Sequence, residues 1–186
     1  MAQVGLKNIY VAEIESEEGN VITYGTPKKI AHAITANITP NVEQAVLYGD
    51  DRAVESEEAL ADIDVEITVT DLTIEDYAFL LGAEVDVNNG VTDSIDNIAP
   101  YVALGFEVPL SKGGKRMYWY YKGKFSIPSS EHNTKQGSIE YQTPTVTAKF
   151  MPREDGKWRY RVDANETNTT LITEWFSEVQ EAPTGA

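Results

Sequence analysis

Residues 61–82 carry the clearest pattern in the chain. Ala61, Ile63, Val65, Ile67 and Val69 alternate with Asp62, Asp64, Glu66, Thr68 and Thr70. Side chains on a strand point to opposite faces in turn, so the apolar set is expected to line a core and the acidic set to face water or a partner. After Asp71 the period changes. Ile74, Tyr77, Ala78 and Leu81 recur at helical spacing, Thr73 is placed to cap with Asp76 three residues on, and Gly82 can end the helix in the left-handed conformation.

More strands are predicted around this unit. Residues 6–14 give a first strand, followed by a charged turn at 15–20. β-Branched residues return at 30–38 and 42–48 on both sides of Pro40, which must sit at a strand end or a bulge. The stretch 49–62 has no apolar face, so it reads as a long connection of about a dozen residues, beyond ordinary hairpin length. Residues 84–97 form a second polar connection, with Asn89-Gly90 as its turn. The runs 101–110 and 116–126 flank Ser-Lys-Gly-Gly-Lys as a hairpin, and 138–151 and 157–164 flank Asp155-Gly156 as another. Near the end, Leu171, Ile172, Trp175 and Phe176 recur at helical spacing and predict a C-terminal helix or arm. With eight to ten strands and no βαβ alternation, the expected fold is mainly β (α+β): a single-domain antiparallel β-sandwich or half-barrel with one packed helix.

Composition sharpens the picture. Fifteen Lys and Arg stand against 30 Asp and Glu, a formal charge of -15. Such a chain lacks a general grip on the phosphate backbone of nucleic acid. Because 41% of residues are hydrophobic and fall into periodic runs, the acidity does not signal disorder. There is no cysteine, which removes disulfides, thiolate nucleophiles and Cys-based zinc sites. No apolar run has membrane-helix length and no signal-peptide core is evident, so the chain is expected to be made in the cytoplasm and to have no membrane partner.

Candidate chemistry is thin. The two histidines, His32 in an alternating strand and His132 in a turn, show no metal or triad spacing. The acids of 84–97 do not match a calcium loop, and Gly-Gly-Lys lacks the spacing of a phosphate loop. Paired carboxylates of the kind glycosidases use arise by chance among 30 acids. Sequons at Asn37, Asn165 and Asn168 carry no meaning without secretion. Tyr118, Trp119, Tyr120 and Tyr121 suggest a stacking platform for sugars or bases, but alternation sends neighbours to opposite faces and half of them into the core. No enzyme activity and no cofactor are expected.

The order of motifs resembles the major tail proteins of long-tailed phages, in particular the phi13-type family. The resemblance is carried by LYGDDRAVES at 47–56, VTDLTIEDYAFLLG at 69–82, PYVALGFEVPL at 100–110 and the stretch from Lys122 to Phe150, together with the N-terminal LKNIYVAEI. It implies a tail-tube-like structural protein of the virion, assembling into hexameric rings that stack into a hollow tube conducting DNA. The implied partners are other copies of the chain, with tape measure, tail terminator and distal tail or baseplate proteins at the tube ends.

Carboxylates lining a lumen would repel the DNA backbone and let it slide. On this reading Asp62, Asp64, Glu66 and Glu107 are candidates for the lumen. The stretch Gly49, Asp50, Asp51, Arg52, Glu55, Glu57 and Glu58 is the candidate inter-ring stacking loop. Ile74, Tyr77, Phe79 and Leu81 are expected to pack the helix, and the N-terminal segment and the arm from Thr169 to contact neighbouring subunits. The same subunit could serve as the inner tube of a phage-tail-like bacteriocin. An acidic β-sandwich carbohydrate-binding module is the alternative from another class.

Overall fold

The computed structural model describes residues 2–19, 21–30, 32–49, 52–129 and 143–183. Its alternating segments form strands β1 (Lys7–Glu18), β2 (Val21–Tyr24), β3 (Lys28–Lys29), β4 (Ala33–Gly49) and β5 (Arg52–Val69). Helix α1 (Ile74–Leu81) follows, then β6 (Val102–Pro109), β7 (Lys115–Phe125), β8 (Thr145–Phe150), β9 (Arg159–Asp163) and a short α2 (Thr169–Thr173). The strands make one nine-stranded sheet in the order β2-β1-β6-β7-β8-β5-β4. All the pairings are antiparallel, with β3 beside β1 and β9 beside β7.

The sheet curls into a half-barrel. Ile9 and Val11 of β1 and Ala36 and Ile38 of β4 meet Ile63, Val65, Ile67, Leu104, Phe106 and Tyr120 in a single core. In a flat sheet β1 and β4 would lie five spacings apart, about 24 Å. Only curvature brings them to one core. Helix α1 covers part of this interior: Leu80 and Leu81 are buried in it, and Leu72, Leu80, Phe125 and Val146 converge there. The helix begins as its sequence dictates. Thr73 accepts a hydrogen bond from the Asp76 amide at 3.1 Å, and Gly82 ends the helix at φ 67°.

The convex face has its own core. Met117, Trp119 and Tyr121 of β7 pack with Ala103, Ile172 and Trp175. The Trp119 indole donates to the Trp175 carbonyl at 3.1 Å, and Phe176 stacks on Tyr10 with ring centroids 4.3 Å apart. A β-bulge in β7 switches its facing. Leu104 pairs with Tyr120 and Val102 with Gly123, so two residues of β6 oppose three of β7. Gly123 is required there, because a Cβ would stand 2.5 Å from the Phe150 ring.

Several expectations are corrected. Residues 52–62 belong to β5, and 15–18 extend β1, so neither stretch is a loop. The runs around Asp155-Gly156 do not pair with each other: β8 bonds β5 and β7, while β9 bonds β7 further along. The C-terminal helix is one short turn, because Trp175 and Phe176 are placed by the pockets they fill rather than by helical geometry. All four residues of 118–121 are buried: Tyr118 and Tyr120 enter the half-barrel core as alternation predicts, and the C-terminal segment covers Trp119 and Tyr121 on the face expected to be open. Pro40 conforms: it lies on edge strand β4, one residue before a register shift at Asn41/Val42.

Candidate assembly surface

The predicted stacking stretch is the outer half of a long hairpin. β5 bonds β8 only from Ile63 to Thr68, whereas β4 and β5 pair continuously from Ala33↔Val69 out to Gly49↔Arg52. Among the described residues, the two strands beyond Asp62 therefore bond only each other. This ribbon extends for about 30 Å, at about 3.3 Å per residue over 41–49. Val42, Glu43, Gln44, Glu57 and Glu58 are exposed, and among the described side chains of the ribbon only Leu60, half-buried at its root, packs against the core. An isolated two-stranded ribbon is marginal in water, and unpaired strand edges are templates for another chain. Of the residues expected here, Asp50 and Asp51 lie outside the described residues, as do the side chains of Arg52 and Glu55. The two-residue gap between Gly49 and Arg52 replaces the expected connection of a dozen.

At the root of the ribbon the acids are bridged. The Asn41 amide donates to Asp62 Oδ1 and Asp64 Oδ2, both at 2.7 Å, and Lys149 Nζ lies 3.0 Å from Asp62 and 3.3 Å from Asp64. The Asn41 hydrogen bond and then Lys149 hold the Asp62 carboxyl below the usual range, while both aspartates raise Lys149. Glu66 is exposed between Asn37 and Thr147. Glu107 stands apart, three strands away on β6. It is buried, accepts from Asn8 Nδ2 at 2.9 Å and pairs with Lys115 at 3.2 Å. The four candidate lumen acids therefore do not form one free acidic strip, and Glu107 is already neutralised.

Both terminal segments are tied to the body of the fold. The Val4 amide bonds the Pro109 carbonyl at 2.9 Å, and Gln3 reaches the Tyr118 hydroxyl at 3.3 Å. At the other end, buried Arg153 binds Asp155 at 2.8 Å and Glu181, with its guanidinium over the Tyr121 ring. This clamp escaped sequence reading, because one arginine before a turn carries no periodic signal. On α1, Tyr77 and Phe79 are half-buried and Leu81 is buried, but Ile74 is 44% exposed and the unpredicted Leu80 is buried. Asp76 is also buried, held by Lys28 at 3.0 Å.

One cavity of about 280 Å³ opens between the N-terminal segment, β4 and the β6–β7 pair, lined by Gln3, Leu6, Ile38, Phe106, Tyr118 and Tyr120, with Arg159 at its edge. Phe106 stacks on Tyr118 with centroids 5.0 Å apart, and the Arg159 guanidinium lies over Trp158 at 4.3 Å. Burial raises the Tyr120 hydroxyl, and Arg159 counters this in part.

For catalysis or metal binding the described residues offer little. They contain no group of three His, Asp or Glu suited to an ion. His32 is exposed just before β4, and its carbonyl accepts from the Thr70 amide. His132 lies outside the described residues. Among the described residues no helix is long and apolar enough to cross a membrane. Compared with known proteins, the chain matches no family model and no curated sequence.

Proposed function

We propose that this protein is a structural subunit that assembles with copies of itself, as the major tail tube protein of a long-tailed phage. In this reading hexameric rings stack into a hollow tube that conducts DNA. The observation that carries the proposal is the ribbon at 41–61: a two-stranded arm whose edges meet no other described strand, and whose described side chains beyond Leu60 are exposed, gains a use against a neighbour. Ring closure and stacking each need a heterologous, head-to-tail contact, and an arm offered to a different surface of the next copy is of that kind.

The charge of -15 fits a tube that lets DNA pass without holding it. Since Asp62, Asp64 and Glu107 are bridged, exposed Glu66 with the arm's Glu43, Glu57 and Glu58 are the described carboxylates best placed to supply the repulsion. The subunit's place would be the virion, with tape measure, terminator and distal tail proteins meeting only the tube ends. The carbohydrate-module reading loses its platform, because Tyr118, Trp119, Tyr120 and Tyr121 are all buried.

Negative-stain electron microscopy with light scattering, at low and raised salt, tests the proposal. Salt matters because it screens repulsion between acidic copies. Rings or hollow tubes are expected. A chain that stays monomeric at every salt and concentration, with tail initiator proteins supplied, overturns the reading.

A further inference from the structure

The connection between α1 and β6 displays apolar side chains that nothing in the described structure covers. Val87 is 101% exposed, Ile95 102% and Ile98 74%. Single exposed aliphatics are ordinary, so the exposure of Ile95 gains weight from what holds it. Ile95 is also held in place. The Asn97 amide bonds the Ser94 carbonyl at 3.1 Å and the Asp96 amide bonds Ser94 Oγ at 3.2 Å, making a tight turn with Ile95 and Asp96 at its centre. The Asp93 carboxylate beside it accepts from the Tyr77 hydroxyl at 2.9 Å. The turn thus presents one aliphatic tip between two carboxylates.

The cavity beside Phe106, Tyr118 and Tyr120 has the opposite character. At about 280 Å³ it falls just short of the ~300–1,000 Å³ typical of small-molecule clefts, a size suited to a side chain. Arg159 lines it opposite Tyr120, and the register sets Arg161 opposite Tyr118 on the same face of β9, with Arg116 two pairs further on opposite Asp163. Asp163 binds Arg116 at 2.8 Å and lies in the field of Arg161, and among the described residues no carboxylate forms an ion pair with Arg159 or Arg161. In so acidic a chain this is a local concentration of positive charge. The turn precedes the start of β6 and the cavity lies toward its end, roughly 17–23 Å along the strand. A subunit therefore cannot fill its own cavity without moving one end of β6 to the other.

We infer that the 93–97 turn of one subunit inserts Ile95 into the Phe106/Tyr118/Tyr120 cavity of a second copy, with Asp93 and Asp96 meeting Arg159 and Arg161. This rests on the self-assembly reading and names a contact within it that is separate from the arm. A rigid aliphatic anchor entering an aromatic pocket inside a charged rim is the usual anatomy of a strong contact. Because plug and socket are different surfaces, the contact propagates head to tail.

Charge exchange tests it. D93K/D96K and R159E/R161E should each weaken self-association on the order of 10–100-fold, since each variant opposes like charges at every contact. Mixed one to one, they should co-assemble, because each loop then meets an oppositely charged socket. Circular dichroism of each variant controls for folding. A second readout does not depend on the arginines: the chain has no cysteine, so I95C mixed with Q3C should form a disulfide heterodimer absent from either alone. If wild type assembles while both charge variants assemble equally well and the cysteine pair stays unlinked, this contact is wrong and self-assembly stands. If wild type never assembles yet the cysteine pair links, the contact survives as a pairwise one and the tube reading fails.

Discussion

Removing the outer part of the β4–β5 arm separates folding from assembly. Replacing residues 44–58 by Asn-Gly leaves Glu43↔Ala59 as the closing pair of a two-residue hairpin. No described core side chain is lost, since every described residue of both cores lies outside 44–58. What goes is a set of ladder hydrogen bonds whose gain is nearly cancelled by the entropy of ordering the ribbon, as in any isolated hairpin. The expected change in unfolding free energy is therefore within about 1 kcal/mol, against the ~3–5 kcal/mol that loss of one large core side chain brings. Urea unfolding followed by tryptophan fluorescence measures it well, because Trp119, Trp158 and Trp175 all lie off the arm. The same sample in the electron microscope should show no tubes. A loss above about 3 kcal/mol would show that the arm supports its own body, and tubes of normal length would show that assembly does not use it.

Other outcomes follow from the packing. Trp175→Ala should cost ~3–5 kcal/mol and expose the Trp119 face, read by urea unfolding and dye binding. Gly105→Ala should cost ~1–3 kcal/mol, because the new Cβ would meet the Trp119 ring at 2.7 Å; a thermal melt unchanged from wild type would contradict the close approach. Burial pushes the Tyr24 hydroxyl up to about 12 and raises Tyr121 as well. A folded-state value above the unfolded one near 10 means stability is intact below pH 10 and falls as pH rises through 12. Phenolate absorbance should therefore appear for these tyrosines together with unfolding, and an earlier, separate titration would argue against their burial.

How much could be read from the chain depends on whether a segment has a core to face. Ile63, Val65, Ile67 and Val69 alternate because they line the half-barrel, and the Thr73 cap and Gly82 stop fix α1 by local chemistry alone. The arm reads as a loop for the same reason: its described side chains at 42–44 and 56–59 are exposed, and a ribbon segment without a core to face imposes no alternation on its sequence. Which face of α1 is inward depends on what lies beneath. Leu80 meets the core while Ile74 does not, and Lys28 spans Asp76 and Phe79 from a strand far away in sequence. Among the candidate site residues, the identity of the acids was legible, but their partners Lys149, Asn41 and Lys115 were set by strand register. The arginine-rimmed cavity arises only when β4, β6 and β9 converge, which no spacing within one segment announces.

The bulge in β7 has a consequence for how the two sides of the sheet can vary. From Met117 to Tyr121 every side chain is buried, whereas from Lys122 onward buried and half-buried positions alternate. The extra residue acts as a frame shift in three dimensions, dividing one strand into a half clad on both sides and a half clad on one. Changes in the C-terminal cover are confined to the first half, and changes around α1 to the second. The protein can therefore remodel its outer surface without disturbing the interior that keeps the half-barrel shut.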